Sequence, residues 1–374
     1  MVRSKGEYEK LMRNRPHVVI LGAGASMAAI EKGDKNGRPI SCMKNFLKNI
    51  GIEYILEGIK LETESDNLED IYSELDEKSK TNNNFQKKKL ELEKAIFDYF
   101  NKFEIPDEPI IYDYLLLGLK ENDLIASFNW DPFLIQAGNR LIEKGIISPE
   151  KLPRIVFLHG NIGVCYDRNK NRTYLSSHYD NRYEKSKLLY PIKRKDYTSD
   201  LIISESWKML ENYLHNAYVL TIFGYGAPNS DASAVELLKK AWENLKKRNL
   251  EEIEIIDIAD KEQLYERWKP FIFNNNYRCR KSFYDSMIFQ CPRRTSCYLF
   301  DVTMKCLWGN LERGFKQNMS FTDLKSKINP LILDEYENEN NLLDPYLGCV
   351  SLDDERLPDY WRDFDRSRCS NEKI

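Results

Sequence analysis

The chain has 374 residues, enough for one large domain or two of ordinary size. Its 56 basic residues are balanced by 59 acidic ones, so no basic field points to a nucleic-acid-binding protein. No apolar run approaches the length of a membrane span, and residues 1–15 are too polar for a secretory signal. The eight cysteines stand without a C-x-x-C pair, which argues against a structural zinc site or a disulfide framework. We therefore expect a soluble cytoplasmic protein that contacts neither membrane nor nucleic acid and needs no metal.

The first strong strand, Val18–Leu21, is apolar at every position, which is typical of a strand buried on both faces of a parallel sheet. Small residues follow it: Gly22, Ala23, Gly24, Ala25 and Ser26. A glycine turn between a strand and a helix is typical of a phosphate-binding site. Met27 stands where the dinucleotide-binding fingerprint has a third glycine, so the stretch alone fits a buried strand and tight turn equally well.

Residues 40–120 have a helical pattern, with apolar residues three and four apart from Leu92 to Phe103. Within them, the charged stretch Asp76–Lys89 is predicted to be an exposed loop. Such stripes form cores or subunit contacts far more often than cofactor sites, and no catalytic constellation is apparent here.

Two further apolar runs end in polar residues. Leu124–Phe128 is followed by Asn129 and Asp131, and Asp131 is suited to cap a following helix. Arg154–Leu158 is followed by His159. The carboxyl ends of parallel strands meet at one sheet edge, where ligands bind, so these side chains are candidates for chemistry. The alternative for a lone histidine is that it only packs and binds backbone.

Residues 163–200 contain a predicted hairpin around a polar turn. Two more strands follow, Tyr218–Phe223 and Glu252–Ile258, separated by a predicted helix that Ser230 and Asp231 can cap. Polar or glycine residues again stand at the strand ends: Gly224, Tyr225, Asp231 and Asp257.

Strands alternating with helices predict an α/β, Rossmann-like, doubly wound parallel sheet. We assign residues 1–262 to this domain, with a helical insertion at about 40–120 and a small insertion at about 163–200. Residues 263–374 are predicted to be an α-rich extension packed on it. Helices are expected over residues 268–273, 277–289 and 294–311.

Five motifs in order resemble the sirtuin-like NAD-binding family, closest to its bacterial anti-phage-defence branch. They are Gly22–Ser26, Ser127–Asp131, Leu158–Gly160, Gly224–Gly226 and the acid Asp257. The resemblance covers roughly residues 15–315. It implies an NAD+ site in which Gly22, Ala23, Gly24 and Ser26 hold the pyrophosphate. Asn129 would lie beside the nicotinamide ribose, and His159 would act as the base. Gly224 and its neighbours, with Asp257, would line the adenosine side.

Two departures from the family bear on the reaction. The two C-x-x-C pairs of the deacylases' zinc ribbon are missing, because only Cys165 lies in that region, and the Pro-Asp-Phe-Arg loop is replaced by Gly37–Ile40. The resemblance thus implies an NAD+ glycohydrolase acting in anti-phage defence by NAD+ depletion. It also implies a homo-oligomer and a partner such as a HerA-type ATPase. The alternatives are an NAD- or ADP-ribose-binding sensor without turnover and an NAD-dependent protein deacylase or ADP-ribosyltransferase.

Overall fold

The computed structural model describes residues 13–341, apart from nine gaps. These are residues 168, 171, 178, 180–181, 193–194, 229–230, 244–250, 273–275 and 306–313. Within the described chain, no helix is both long enough and apolar enough to cross a membrane.

A six-stranded sheet forms the centre of the protein, in the order β3-β2-β1-β7-β8-β9, with every neighbouring pair parallel. This confirms the predicted Rossmann-like α/β fold. The central strand β1 is buried at all five positions, as its unbroken apolar sequence predicts. The strands are β1 (His17–Leu21), β2 (Leu124–Ser127), β3 (Arg154–Phe157), β7 (Val219–Phe223), β8 (Glu252–Ile256) and β9 (Tyr277–Arg280).

The sixth strand was not predicted, and the helix expected from residue 277 is wrong at its start. Strand β9 pairs with β8 at the edge of the sheet. Its two arginines alternate with its other residues, and each forms a diagonal ion pair with an acid of β8. Arg278 lies 2.6 Å from Glu252, and Arg280 lies 3.5 Å from Glu254. These cross-strand charge pairs favour a strand over a helix.

Helices fill the insertion between β1 and β2, as predicted, but the loop expected over Asp76–Lys89 is wrong. Helix α3 continues to Ser79, and helix α4 begins at Asn83, where the Asn82 side chain accepts from the amide of Asn84. The helices before β2 are α1 (Ala23–Ala29), α2 (Phe46–Ile50), α3 (Leu68–Ser79), α4 (Asn83–Phe100) and α5 (Ile111–Gly118).

The small insertion forms a second sheet of three antiparallel strands, in the order β5-β4-β6. It contains the predicted hairpin. Its strands are β4 (Val164–Asp167), β5 (Arg172–Leu175) and β6 (Glu184–Lys185).

The remaining helices cover the sheet on both sides and build two large apolar cores, one on each face. Arg293 links the last described helix to the C-terminal end of α5, because its guanidinium donates to the carbonyl of Leu119 and to Glu335. These helices are α6 (Phe133–Glu143), α7 (Leu201–Asn216), α8 (Ala232–Glu243), α9 (Lys261–Trp268), α10 (Met287–Gln290), α11 (Thr295–Lys305) and α12 (Phe321–Asn341).

Candidate functional site

The glycine turn after β1 packs tightly against the end of β7. The amide of Gly22 donates to the carbonyl of Phe223 at 3.0 Å, and the amide of Gly24 donates to that of Gly224 at 2.9 Å. A Cβ on Gly24 would lie 2.8 Å from the Cα of Gly224, so glycine is required for this approach. A third amide of the turn, that of Ala25, donates to the carbonyl of Gly22 at 2.9 Å. Among the described residues, the amide of Ala23 donates to no such carbonyl, and Ala23 is exposed.

Asn129, at the end of β2, is bonded directly to this turn. Its Nδ2 donates to the carbonyl of Gly22 and to Oγ of Ser26, both at 2.9 Å. The hydroxyl of Tyr112, on α5, lies 2.7 Å from the same Ser26 Oγ. Among the described residues, no donor reaches Oδ1 of Asn129, so this oxygen is available to a ligand hydroxyl.

Asp131 lies on the other side of Ser26, whose Oγ donates to Oδ2 of Asp131 at 2.7 Å. Burial raises the pKa of Asp131 to about 6, and the Ser26 hydrogen bond opposes that rise. The predicted cap is wrong by one residue, because α6 begins at Phe133 with Pro132 at the N-cap position. Asn161 fixes the strand end by donating to the carbonyls of Asn129 and Asp131, at 3.1 and 2.6 Å.

His159, at the end of β3, belongs to a second cluster around Asp231. Its Nε2 is buried without a hydrogen bond and lies 3.8 Å from Oδ1 of Asp231. That oxygen is also 2.5 Å from Nζ of Lys195, while the Tyr225 hydroxyl donates to Oδ2 of Asp231 at 3.0 Å. Asp231 immediately precedes α8, and both of its carboxylate oxygens are engaged by side chains. Its role as the cap of α8 stays a prediction. Ser230, predicted as its partner cap, lies outside the described residues.

The charge state of His159 is set chiefly by its burial. Burial lowers the pKa of His159 to about 4; Asp231 acts to raise it, and Lys195 adds to the lowering. The imidazole is therefore neutral at neutral pH and able to accept a proton.

A segment between β6 and α7 covers His159. The amide of Leu189 donates to the carbonyl of His159 at 2.9 Å, and the Tyr197 ring stacks on the imidazole at 6.0 Å. Gly160 makes the cover possible, since its φ is +75° and a Cβ there would lie 2.0 Å from the carbonyl oxygen of Lys187. With this cover in place, Asn129 is 8% exposed and His159 is 6% exposed.

The two clusters meet at Phe128, which precedes Asn129. Its ring packs edge-on against His159 at 4.7 Å and stacks on Tyr225 at 4.2 Å. The structure thus brings together all the predicted site residues except Asp257. Asp257 follows β8, where its carboxylate accepts from the amide of Ala259 and lies 3.7 Å from Arg267.

Three residues of the site were not predicted to belong to it. Asn161 could have been found from its position two residues after His159 at a strand end. Tyr112 gave no such signal, because it lies within an apolar helix. Lys195 belongs to the stretch Lys195–Tyr197, which also resembles the same family branch, but the resemblance implies no role for it.

The arrangement offers a buried neutral imidazole, an amide oxygen and a glycine turn at one edge of a parallel sheet. In the described part of the chain, no group of three or more His, Cys, Asp and Glu residues is placed to hold a metal ion.

No family model matches the sequence, and no curated protein matches it. Among solved structures, a Sir2 homologue in complex with NAD is 14% identical, covers 80% of this chain and 93% of its own, and gives a TM-score of 0.36. A mutant Sir2 homologue in complex with ADP-ribose is 10% identical, covers 88% and 98%, and also gives 0.36. A further Sir2 enzyme is 11% identical, covers 87% and 97%, and gives 0.35.

Proposed function

We propose that this protein is an NAD+ glycohydrolase, which cleaves NAD+ with water to nicotinamide and ADP-ribose. One observation carries the proposal. Asn129 and His159 end neighbouring parallel strands, and Asn129 is hydrogen-bonded to the glycine turn that, by the resemblance, would bind the pyrophosphate. The carboxyl edge of such a sheet is where nucleotides bind.

In the reaction, the bond between nicotinamide and C1′ of the ribose breaks, and its electron pair leaves with neutral nicotinamide. Water attacks C1′, and its proton is released. Asn129 holds a ribose hydroxyl through Oδ1, which fixes the sugar relative to the attacking water. His159 accepts the proton from water or from a ribose hydroxyl, for which its neutral state is required. The apolar cover over His159 keeps other water molecules away from the reacting carbon.

Gly22, Ala23, Gly24 and Ser26 form the proposed pyrophosphate-binding turn. Because the amides of Gly22 and Gly24 are occupied by β7 carbonyls, the exposed amide of Ala23 is the donor best placed to meet the ligand. Gly224, Tyr225 and Asp231 are proposed to line the adenosine side, with Asp257 at its far end.

The biological setting remains a proposal based on the sequence resemblance alone. We propose cytoplasmic anti-phage defence by NAD+ depletion, in a homo-oligomer that works beside a partner such as a HerA-type ATPase. The domain division at residue 262 is likewise proposed from sequence.

A second candidate is a module that binds NAD+ or ADP-ribose without turnover. Both functions require the buried Asn129 and His159 to become accessible, since an occluded site binds ligand only after opening. Calorimetry distinguishes the two functions: tight NAD+ binding without nicotinamide release supports a sensor. A deacylase would release nicotinamide only with an acyl-lysine peptide, and the missing cysteine pairs argue against it.

The proposal is tested with single substitutions and matched controls. His159→Ala and Asn129→Ala should each reduce NAD+ cleavage by about 100-fold or more, the range for loss of a general base or a positioning group. The controls His215→Ala and Asn216→Ala replace a partly buried and an exposed residue at the end of α7 and should retain activity. Full activity in both site variants would contradict the assignment.

A further inference from the structure

A cavity of about 540 Å³ lies beside the candidate site, between helices α3 and α4 and the segment that covers His159. Its volume is in the range of small-molecule sites. Aromatic residues form part of its wall, including Tyr72, Phe97 and Tyr190. None of the predicted site residues lines it.

The charged residues of the cavity wall are five lysines and three acids. All three acids are already engaged. Asp76 lies 2.6 Å from Lys89, and Glu93 accepts a hydrogen bond from Tyr72. Asp196 accepts from the amides and hydroxyl of the turn that follows it.

Three of the lysines have no such neutralising partner. Among the described residues, no carboxylate lies within ion-pair distance of Lys94, Lys185 or Lys187. Lys185 contacts the ring of Phe97 instead, at 3.8 Å, and Lys187 lies 3.4 Å from the hydroxyl of Ser199. The wall thus carries an excess of positive charge that a ligand could neutralise.

A fourth lysine connects this cavity to His159. Lys195 lines the cavity, yet its side chain is only 2% exposed because its Nζ is paired with Oδ1 of Asp231. The same oxygen is the polar atom 3.8 Å from Nε2 of His159. Lys195 and His159 therefore compete for one carboxylate oxygen.

We propose that this cavity binds a phosphate-bearing small molecule and that Lys195 transmits its binding to His159. A phosphate held by Lys94, Lys185 and Lys187 attracts the Lys195 ammonium away from Asp231. Oδ1 of Asp231 then accepts a hydrogen bond from His159, which orients the imidazole. Binding of the ligand does not depend on the proposed function, whereas control of activity by that ligand rests on the proposed NAD+ cleavage.

Binding is tested by calorimetry with inorganic pyrophosphate on the full chain, without NAD+. Wild type should bind, and the double variant Lys94→Gln/Lys187→Gln should bind about tenfold more weakly, equivalent to about 1.4 kcal/mol. The control Lys87→Gln/Lys102→Gln removes two exposed lysines outside the cavity and should bind as wild type does. Absence of binding by wild type, or equal weakening in both double variants, would overturn the site. The same titrations with ADP distinguish the two kinds of ligand. Tighter lysine-dependent binding of ADP than of pyrophosphate indicates a nucleotide, and tighter binding of pyrophosphate indicates an inorganic ligand.

The coupling is tested by NMR of the histidine side chains, with the His159 signal assigned from a His159→Gln variant. Pyrophosphate should shift the His159 signal in wild type and leave it unchanged in Lys195→Met. A pyrophosphate complex with an unshifted His159 signal would contradict the coupling. Because neither measurement uses NAD+, failure of the proposed hydrolysis would leave both results interpretable.

Discussion

At the scale of single residues, Ser26 joins the glycine turn to the end of β2. Its Oγ accepts from Asn129, donates to Asp131 and contacts Tyr112. The grouping of Ser26 with Asn129 and Asp131 could be predicted, because strands next to each other in a parallel sheet end at the same edge. The pairing of Lys195 with Asp231 could not, because a loop without periodicity places the lysine.

The pKa of Asp131 leads to a prediction for stability. In the folded protein this pKa is raised to about 6 from an ordinary value of 3.8. The folded state therefore holds the proton more tightly than the unfolded state, and this contribution is lost as pH rises through that interval. Relative to Asp131→Asn, the unfolding free energy of wild type should fall by up to about 3 kcal/mol between pH 4 and pH 7. Urea denaturation across this range measures the difference.

The control for this experiment is Asp196→Asn. Asp196 is exposed, and hydrogen bonds from Thr198 and Ser199 hold its pKa below the ordinary value. Ionisation of Asp196 therefore stabilises the folded protein, and this stabilisation is lost only below about pH 4. Between about pH 4 and pH 7, the unfolding free energy of Asp196→Asn should change with pH as that of wild type does. A constant difference between wild type and Asp131→Asn would show that Asp131 does not titrate in this range.

At the scale of elements, the strands with unbroken apolar sequences could be predicted, and those held by side-chain pairing could not. Strand β1 shows the first case, because burial on both faces leaves only apolar residues in it. Strand β9 shows the second, since it lies at the edge and depends on arginines that pair with acids of β8. Local sequence around Tyr277 does not contain those partners.

Because the first glycine turn packs against the end of β7, substitution of two nearby glycines by alanine should affect stability very differently. Gly224 has a φ of +61°, and a Cβ there would lie 2.2 Å from the amide nitrogen of Ala25. Gly224→Ala should lower the unfolding free energy by about 2–4 kcal/mol, from backbone strain and overpacking together. It should also weaken NAD+ binding.

Gly226 is the matched control, two residues further along the same loop. A Cβ on Gly226 would meet no heavy atom within 4 Å. Gly226→Ala should change the unfolding free energy by no more than about 0.5 kcal/mol. Equal stability of the two variants in urea denaturation would show that the turn does not pack on β7 in this way.

At the scale of the whole molecule, the ends of the sheet strands carry the candidate site residues, and the segment after the small second sheet covers His159. The order of strands places the ends of β3, β2, β1 and β7 side by side, which is why the site is assembled from distant parts of the sequence. The segment between β6 and α7 lies over His159. Under the proposed function, NAD+ would enter only when this segment moves. Sequence periodicity could not predict a closed site, since the cover is irregular and is held by separate contacts, among them those of Leu189 and Tyr197 with His159 and that of Lys195 with Asp231.

The most direct test of the account is quantification of products after incubating the purified full chain with NAD+. The account predicts nicotinamide and ADP-ribose in equal amounts, without added metal or acyl-lysine peptide, and their loss in His159→Ala. Recovery of intact NAD+ after it has bound to the protein, with or without pyrophosphate, would contradict the account.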